Sequence, residues 1–173
     1  RQLVLARCFS VRRDRAIIPR PRYAALWTRR GEDASPGALA AKARLFSTSE
    51  LRDVQCLFLL AWLGFAARED HPGLAELEAR GQGYSEDDKR YLQGVVRTSA
   101  GAVLPSWRRL AERGQVELCA SPYYHPILPL IIDSDTARRS QPRDALPPRF
   151  AYPEDAEAQV ARAVTAHERV FGA

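Results

Sequence analysis

The segment STSELRDVQCLFLLAWLGF, residues 47–65, constrains this chain more than any other. Ser47 followed three residues later by Glu50 is a capping box, in which hydroxyl and carboxylate satisfy the free amides of a first helical turn. Leu51, Val54, Phe58, Trp62 and Phe65 then recur near a 3.6-residue period, while Leu57, Leu60 and Leu63 make the second half apolar almost all round. A helix of that kind must be buried on more than one side, so the chain has to build further helices around it. It does not cross a bilayer, because the apolar run Cys56 to Ala67 falls short of the roughly 18 residues required.

Other helix signals flank it. HPGLAELEARG predicts a short helix with Pro72 near its start and Gly81 as its stop. Ser85, followed by Glu86, Asp87 and Asp88, opens a long amphipathic segment through Leu92, Val95 and Val96, which Pro105 should break or kink before Gly114 ends it. Near the C-terminus, Pro153 stands at a first helical position with Glu154 and Asp155 where the helix dipole favours anions. Val160, Val164, His167 and Phe171 form the apolar stripe and Gly172 the stop.

Between these lies QVELCA, the best strand candidate, then an irregular stretch with seven prolines from Pro122 to Pro153. Loops of this length in compact domains are functional or disordered. Tyr123, Tyr124, Ile127, Leu128, Leu130, Ile131 and Ile132 are too apolar for disorder. Several helices, a strand, a structured loop and a further helix suit an α/β barrel with a helical insertion. The chain holds no methionine and opens on RQLVLARCF as though within a helix, so it is expected to be a piece of a longer protein.

The formal net charge of +5 is unevenly placed. Residues 1–30 hold nine arginines against the single Asp14, a net +8, leaving −3 on the other 143 residues. Prolines interrupt the basic segment and no recognition motif accompanies it, so nucleic acid is not an expected partner. The cysteines, Cys8, Cys56 and Cys119, are odd in number and have no metal-ligand spacing; they are expected to be buried free thiols of a reducing, cytoplasmic compartment.

Few residues offer chemistry by spacing alone. Glu117, at the end of the candidate strand, stands where α/β barrels gather functional side chains, or else is salt-bridged to one of the many arginines. His125 is read as a hydrogen-bonded structural residue before a catalyst. Tyr123 and Tyr124 suit either a sugar-stacking platform or the core. Asp133 and Asp135 resemble the start of a calcium loop, yet the glycine and terminal glutamate of that loop do not follow in register. No phosphate loop, zinc pattern or Ser/His/Asp set is present.

The run GQVELCASPYYHPILPL, residues 114–130, closely resembles the second conserved region of glycoside hydrolase family 57 in its amylopullulanase-like branch. PRPRYAAL, FSTSELRDVQCLFLLAWLGF and LPPRFAYPEDAEAQVARAVTAHERVFG resemble further segments of that branch. The resemblance implies a retaining glycosidase acting on α-glucans, by hydrolysis or transglycosylation, with an incomplete (β/α)7 barrel and no cofactor or metal. Residues 1–113 would be a mainly helical insertion, 114–152 a strand and substrate-side loop, and 153–172 a barrel helix. By carry-over Glu117 binds the sugar in the cleaved subsite, and His125, Tyr123 and Tyr124 line the same wall. The family's H-Q-P motif is not present in this chain, and the catalytic nucleophile and acid/base are expected downstream of Ala173, so this piece alone is expected to be inactive. A retaining mechanism needs two carboxyls about 5–5.5 Å apart, with further groups gripping the distorted sugar. The alternative is a non-catalytic carbohydrate-binding or helical interaction module.

Overall fold

The computed structural model describes residues 1–172. They form two compact units, one from Arg1 to Ala102 and one from Val103 onwards. The described residues are mostly helical and contain no strand.

The first unit contains α1 (Gln2–Arg7), a π-turn at Arg13–Ile17, α2 (Pro21–Arg30), α3 (Pro36–Ala43) and α4 (Thr48–Trp62), followed by α5 (Phe65–Asp70) and α6 (Gly73–Arg80). α1 packs on α3 and α4, and α2 on α3 and α4. The capping box forms as its spacing requires: the Glu50 amide donates to Ser47 Oγ at 3.1 Å and the Ser47 amide to Glu50 Oε2 at 3.0 Å. Leu51, Val54, Leu57 and Leu60 of α4 are buried with Leu5, Tyr23, Leu26 and Leu74. The expected stripe is not buried to its end, however, because Phe58 is only half-buried and Trp62 and Phe65 are exposed.

Ion pairs join these helices. Arg22 of α2 donates to the carboxylate of Asp53 at 2.9 Å, and Arg29 pairs with Glu50. Asp53 is 2% exposed and also accepts the Tyr84 amide at 3.1 Å. A buried carboxylate is tolerated when its lone pairs are filled in this way.

The boundary between the units falls within α7 (Glu86–Glu112). At its start Ser85 and Asp88 make a second reciprocal cap, with Asp88 in the place of the usual glutamate. The helix is not broken at Pro105 but runs on to Glu112, so the break named among the expectations does not occur. Proline removes one N–H, whose acceptor would be the carbonyl of Gly101, and residues 101–105 are exposed, so water can satisfy that oxygen.

The second unit comprises the end of α7, the segment to His125, α8 (Leu128–Ile132), a 3-10 turn at Ser134–Arg139 and α9 (Pro153–Phe171). α8 packs on α9. Val116 to Ala120, the expected strand, carries no regular structure. A parallel strand exists only through hydrogen bonds to neighbours remote in sequence, and no such neighbour lies among the described residues. Ala156 is the one buried hydrophobic residue described in this unit.

The cysteines are free, but not uniformly buried. Cys56 is buried, Cys8 half-buried and Cys119 exposed, contrary to the expectation of three sheltered thiols. Burial, reinforced by the Asp88 and Asp53 carboxylates, pushes the Cys56 thiol up to about 12, so it stays neutral and unreactive.

Candidate functional site

The second unit presents the candidate residues on one ordered loop. Gly114, at φ 66°, ends α7 in the left-handed conformation that favours glycine, and the Gln115 amide turns back to the Leu110 carbonyl at 3.0 Å. After Pro122 the chain makes a tight turn, closed by the His125 amide donating to the Pro122 carbonyl at 2.8 Å. His125 sits at φ 54°, the sole non-glycine at positive φ among the described residues. Such a residue costs about 1–2 kcal/mol relative to a right-handed conformation.

The turn is held against α9 by a single residue. The Tyr123 amide donates to the Gln159 carbonyl at 3.3 Å and the Tyr124 amide to Gln159 Oε1 at 2.9 Å. The two tyrosine rings meet edge to face, centroids 4.9 Å apart, and remain 50% and 68% exposed. They border a groove of about 400 Å³ whose opposite wall is α9, through Arg162, Thr165 and Arg169. These three, with Gln159, lie at spacings of three to four residues and so on one helix face. That periodicity was present in the sequence, but it names no chemistry until the tyrosines stand opposite.

Glu117 and His125 are exposed and do not line that groove. No ion pair among the described residues involves Glu117, so the salt-bridged alternative is not found. The residues after Glu117, Leu118 and Ala120, border a second groove of about 340 Å³ with Val160, Val164 and His167 of α9. This is the expected apolar stripe, and it is open: Val160 and Val164 are exposed, and His167 Nε2 is buried without a hydrogen-bond partner. The structure thus brings Tyr123 and Tyr124 together over α9 and leaves Glu117 and His125 on the adjoining chain.

Asp133 and Asp135 prove to be structural. Arg149 grips Asp133 with two bonds, 2.7 and 3.1 Å, and Asp133 Oδ1 also accepts the Asp135 amide at 3.0 Å. The Arg149 guanidinium holds the Asp133 carboxyl below its ordinary range. Ser134 and Phe150 exchange bonds at 2.8 Å, Ser134 amide to Phe150 carbonyl and Phe150 amide to Ser134 Oγ, and the Tyr152 amide reaches the Ile131 carbonyl at 2.8 Å. The proline-rich stretch is therefore a closed loop.

The N-terminal arginines are largely engaged within the first unit. Arg12 and Arg15 pair with Asp14, Arg13 with Glu32, Arg20 with Glu78, and Arg30 lies buried with bonds to the Leu5, Gly31 and Glu32 carbonyls. No described helix is long and apolar enough to cross a membrane.

Comparison with curated proteins and with solved structures gives no match. The sequence profile of Glycosyl hydrolase family 57 matches residues 23–173. The match opens at Tyr23, leaving the first 22 residues outside, and it takes in the tyrosine loop and α9. Because it spans most of the chain, this protein belongs to glycosyl hydrolase family 57, a family of glycosidases with carbohydrate substrates.

Proposed function

We propose that this chain is part of an α-glucan-active retaining glycosidase of the amylopullulanase-like branch, and that the loop from Glu117 to Pro126 supplies sugar contacts rather than the catalytic pair. Residues 1–113 act as a helical insertion, 114–152 as the substrate side and 153–172 as a helix of an incomplete (β/α)7 barrel. In this reading bond cleavage belongs to carboxylates outside residues 1–173, and the chain alone is inactive.

One observation carries the reading: two aromatic rings stay exposed although their backbone is pinned by Gln159. Exposed apolar surface on a mobile loop is ordinary, whereas on a tethered one it is preorganised for a ligand. Tyrosine suits sugars because its ring meets the C–H face while its hydroxyl bonds to a sugar hydroxyl. Arg162 and Arg169 add donors, and the unpaired Glu117 carboxylate adds a strong acceptor for sugar hydroxyls. The open apolar groove beside α9 is consistent with a unit whose core is completed by other strands of a barrel.

Calorimetric titration of maltoheptaose into the chain tests the loop. Tyr124→Ala is expected to weaken binding about tenfold, with helicity unchanged. Equal affinity in wild type, Tyr123→Ala and Tyr124→Ala would remove the loop from the substrate site.

A further inference from the structure

We infer that the first unit binds a purine nucleoside polyphosphate, its base stacked on Trp62 and its phosphates held by Arg15 and the arginines beside it. Trp62 ends α4 and is 65% exposed. Its ring is set by a T-shaped contact with Phe58 of the preceding turn, centroids 6.2 Å apart. With Ala61 it borders a groove of about 600 Å³ that Ser10, Arg12, Arg15 and Arg20 also line. An exposed indole whose position is fixed by its own helix is a platform for a flat ring, and every nucleobase offers one.

The same groove is cationic. Asp14 is shared by Arg12 and Arg15, and Glu78 by Arg20 and Arg68, so four guanidiniums meet two carboxylates and a net +2 remains. Arg12 grips Asp14 with two bonds, 2.7 and 3.2 Å. The Arg15 side chain comes no nearer to Asp14 than 3.7 Å and makes no hydrogen bond among the described residues. The π-turn, closed by the Ile18 amide reaching the Arg13 carbonyl at 2.9 Å, fixes the backbone that carries it. Arg15 thus keeps its planar fork of donors unspent, the geometry that takes two oxygens of a phosphate at once. Both Asp14 pairs are exposed and hold weakly, so a phosphate can draw on Arg12 as well.

Only a ligand that carries both a ring and strong negative charge uses both features. Inorganic phosphate leaves the indole bare, and a neutral ring leaves the positive charge unbalanced. A nucleic-acid strand needs a succession of stacking platforms along a basic track. Here Trp62 is the one aromatic residue lining the groove, and the groove's volume lies within the range of roughly 300–1,000 Å³ of small-ligand sites. A purine covers more of an indole than a pyrimidine does. The inference rests on the first unit alone and uses neither the family nor the tyrosine loop.

The test titrates the full chain with ADP by calorimetry and by tryptophan emission, with Trp62→Phe identifying the Trp62 signal against those of Trp27 and Trp107. Adenosine, pyrophosphate, glucose 1-phosphate, maltoheptaose and an oligothymidylate are titrated alongside. ADP is expected to quench Trp62 saturably, with adenosine and pyrophosphate each binding about tenfold or more weakly. Trp62→Ala should lose about tenfold in ADP affinity, and Trp62→Phe much less. Arg15→Ala should lose severalfold and Arg15→Lys nearly as much, because lysine has no planar fork. Asp14→Asn, which releases Arg12 and Arg15, should tighten ADP binding severalfold, a gain that a neutral ligand would not show. Absence of ADP binding, or unchanged ADP affinity in Trp62→Ala, overturns the inference. So does adenosine or glucose 1-phosphate binding as tightly as ADP, oligothymidylate binding more tightly, or quenching of Trp62 by maltoheptaose.

Discussion

Gln159 accepts the Tyr124 amide on its side chain at 2.9 Å and the Tyr123 amide on its carbonyl at 3.3 Å, so one residue of α9 sets the backbone of both exposed tyrosines. Gln159→Ala removes the side-chain bond, worth about 1 kcal/mol. Hydrogen exchange at the Tyr124 amide should accelerate about fivefold and maltoheptaose affinity should fall, while Gln159→Glu, which keeps the acceptor, should restore protection. Unchanged exchange in Gln159→Ala would show that the loop is held by other contacts.

His125 occupies the left-handed region with its side chain exposed. Glycine at this position loses no packing and escapes the Cβ penalty, so His125→Gly should preserve or raise the thermal midpoint, whereas His125→Val should lower it by the equivalent of about 1–2 kcal/mol. If the imidazole touches sugar, His125→Gly will bind more weakly despite equal or greater stability. A glycine variant that unfolds earlier would instead assign the imidazole a structural contact.

For Glu117 the absence of any ion pair among the described residues separates function from stability. Glu117→Gln should leave the unfolding midpoint in place. In a complete catalytic domain it should lower kcat/KM about ten- to a hundredfold, the size of one charge-assisted bond to a sugar hydroxyl. Wild-type kinetics in that variant would exclude Glu117 from the subsite.

Asp53 ties Arg22 of α2 to the Tyr84 amide before α7. Asp53→Ala leaves the buried Tyr84 amide unpaired and Arg22 with only its 3.8 Å approach to Glu50, and urea unfolding should register a loss of about 1–3 kcal/mol. Asp53→Asn, which retains an acceptor, should lose less. Equal stability of Asp53→Ala and wild type would mean that water replaces both bonds.

Glu86 predicts an acid response in the same region. Lys89 first and Arg52 second hold its carboxyl at about 2, against an ordinary 4.5. Because the folded value is the lower one, the stabilisation is complete above about 4.5 and drains away as pH falls toward about 2. The thermal midpoint of wild type should therefore decline more steeply across this window than that of Glu86→Gln. Parallel curves would show that the pair contributes nothing to folding.

Local chemistry was legible in the sequence. Ser47 with Glu50, Ser85 with Asp88, Pro153 at the head of α9 and Gly172 at its end specify helix boundaries through bonds that span three or four residues, so a short window contains both partners. The glycosidase family was legible too, through the motif from Gly114 to Leu130.

Contacts between distant residues were decided only by the tertiary structure. Val116 to Ala120 has strand-like composition, but a strand is made by its neighbours, and among the described residues it has none. Trp62 shares the spacing of the buried α4 residues, yet it is 65% exposed. Asp53 meets Tyr84 across 31 positions, and Gln159 meets Tyr124 across 35. Periodicity tells which face of a helix is apolar; only the packed chain decides which atom of that face meets a partner and which is left open to a ligand.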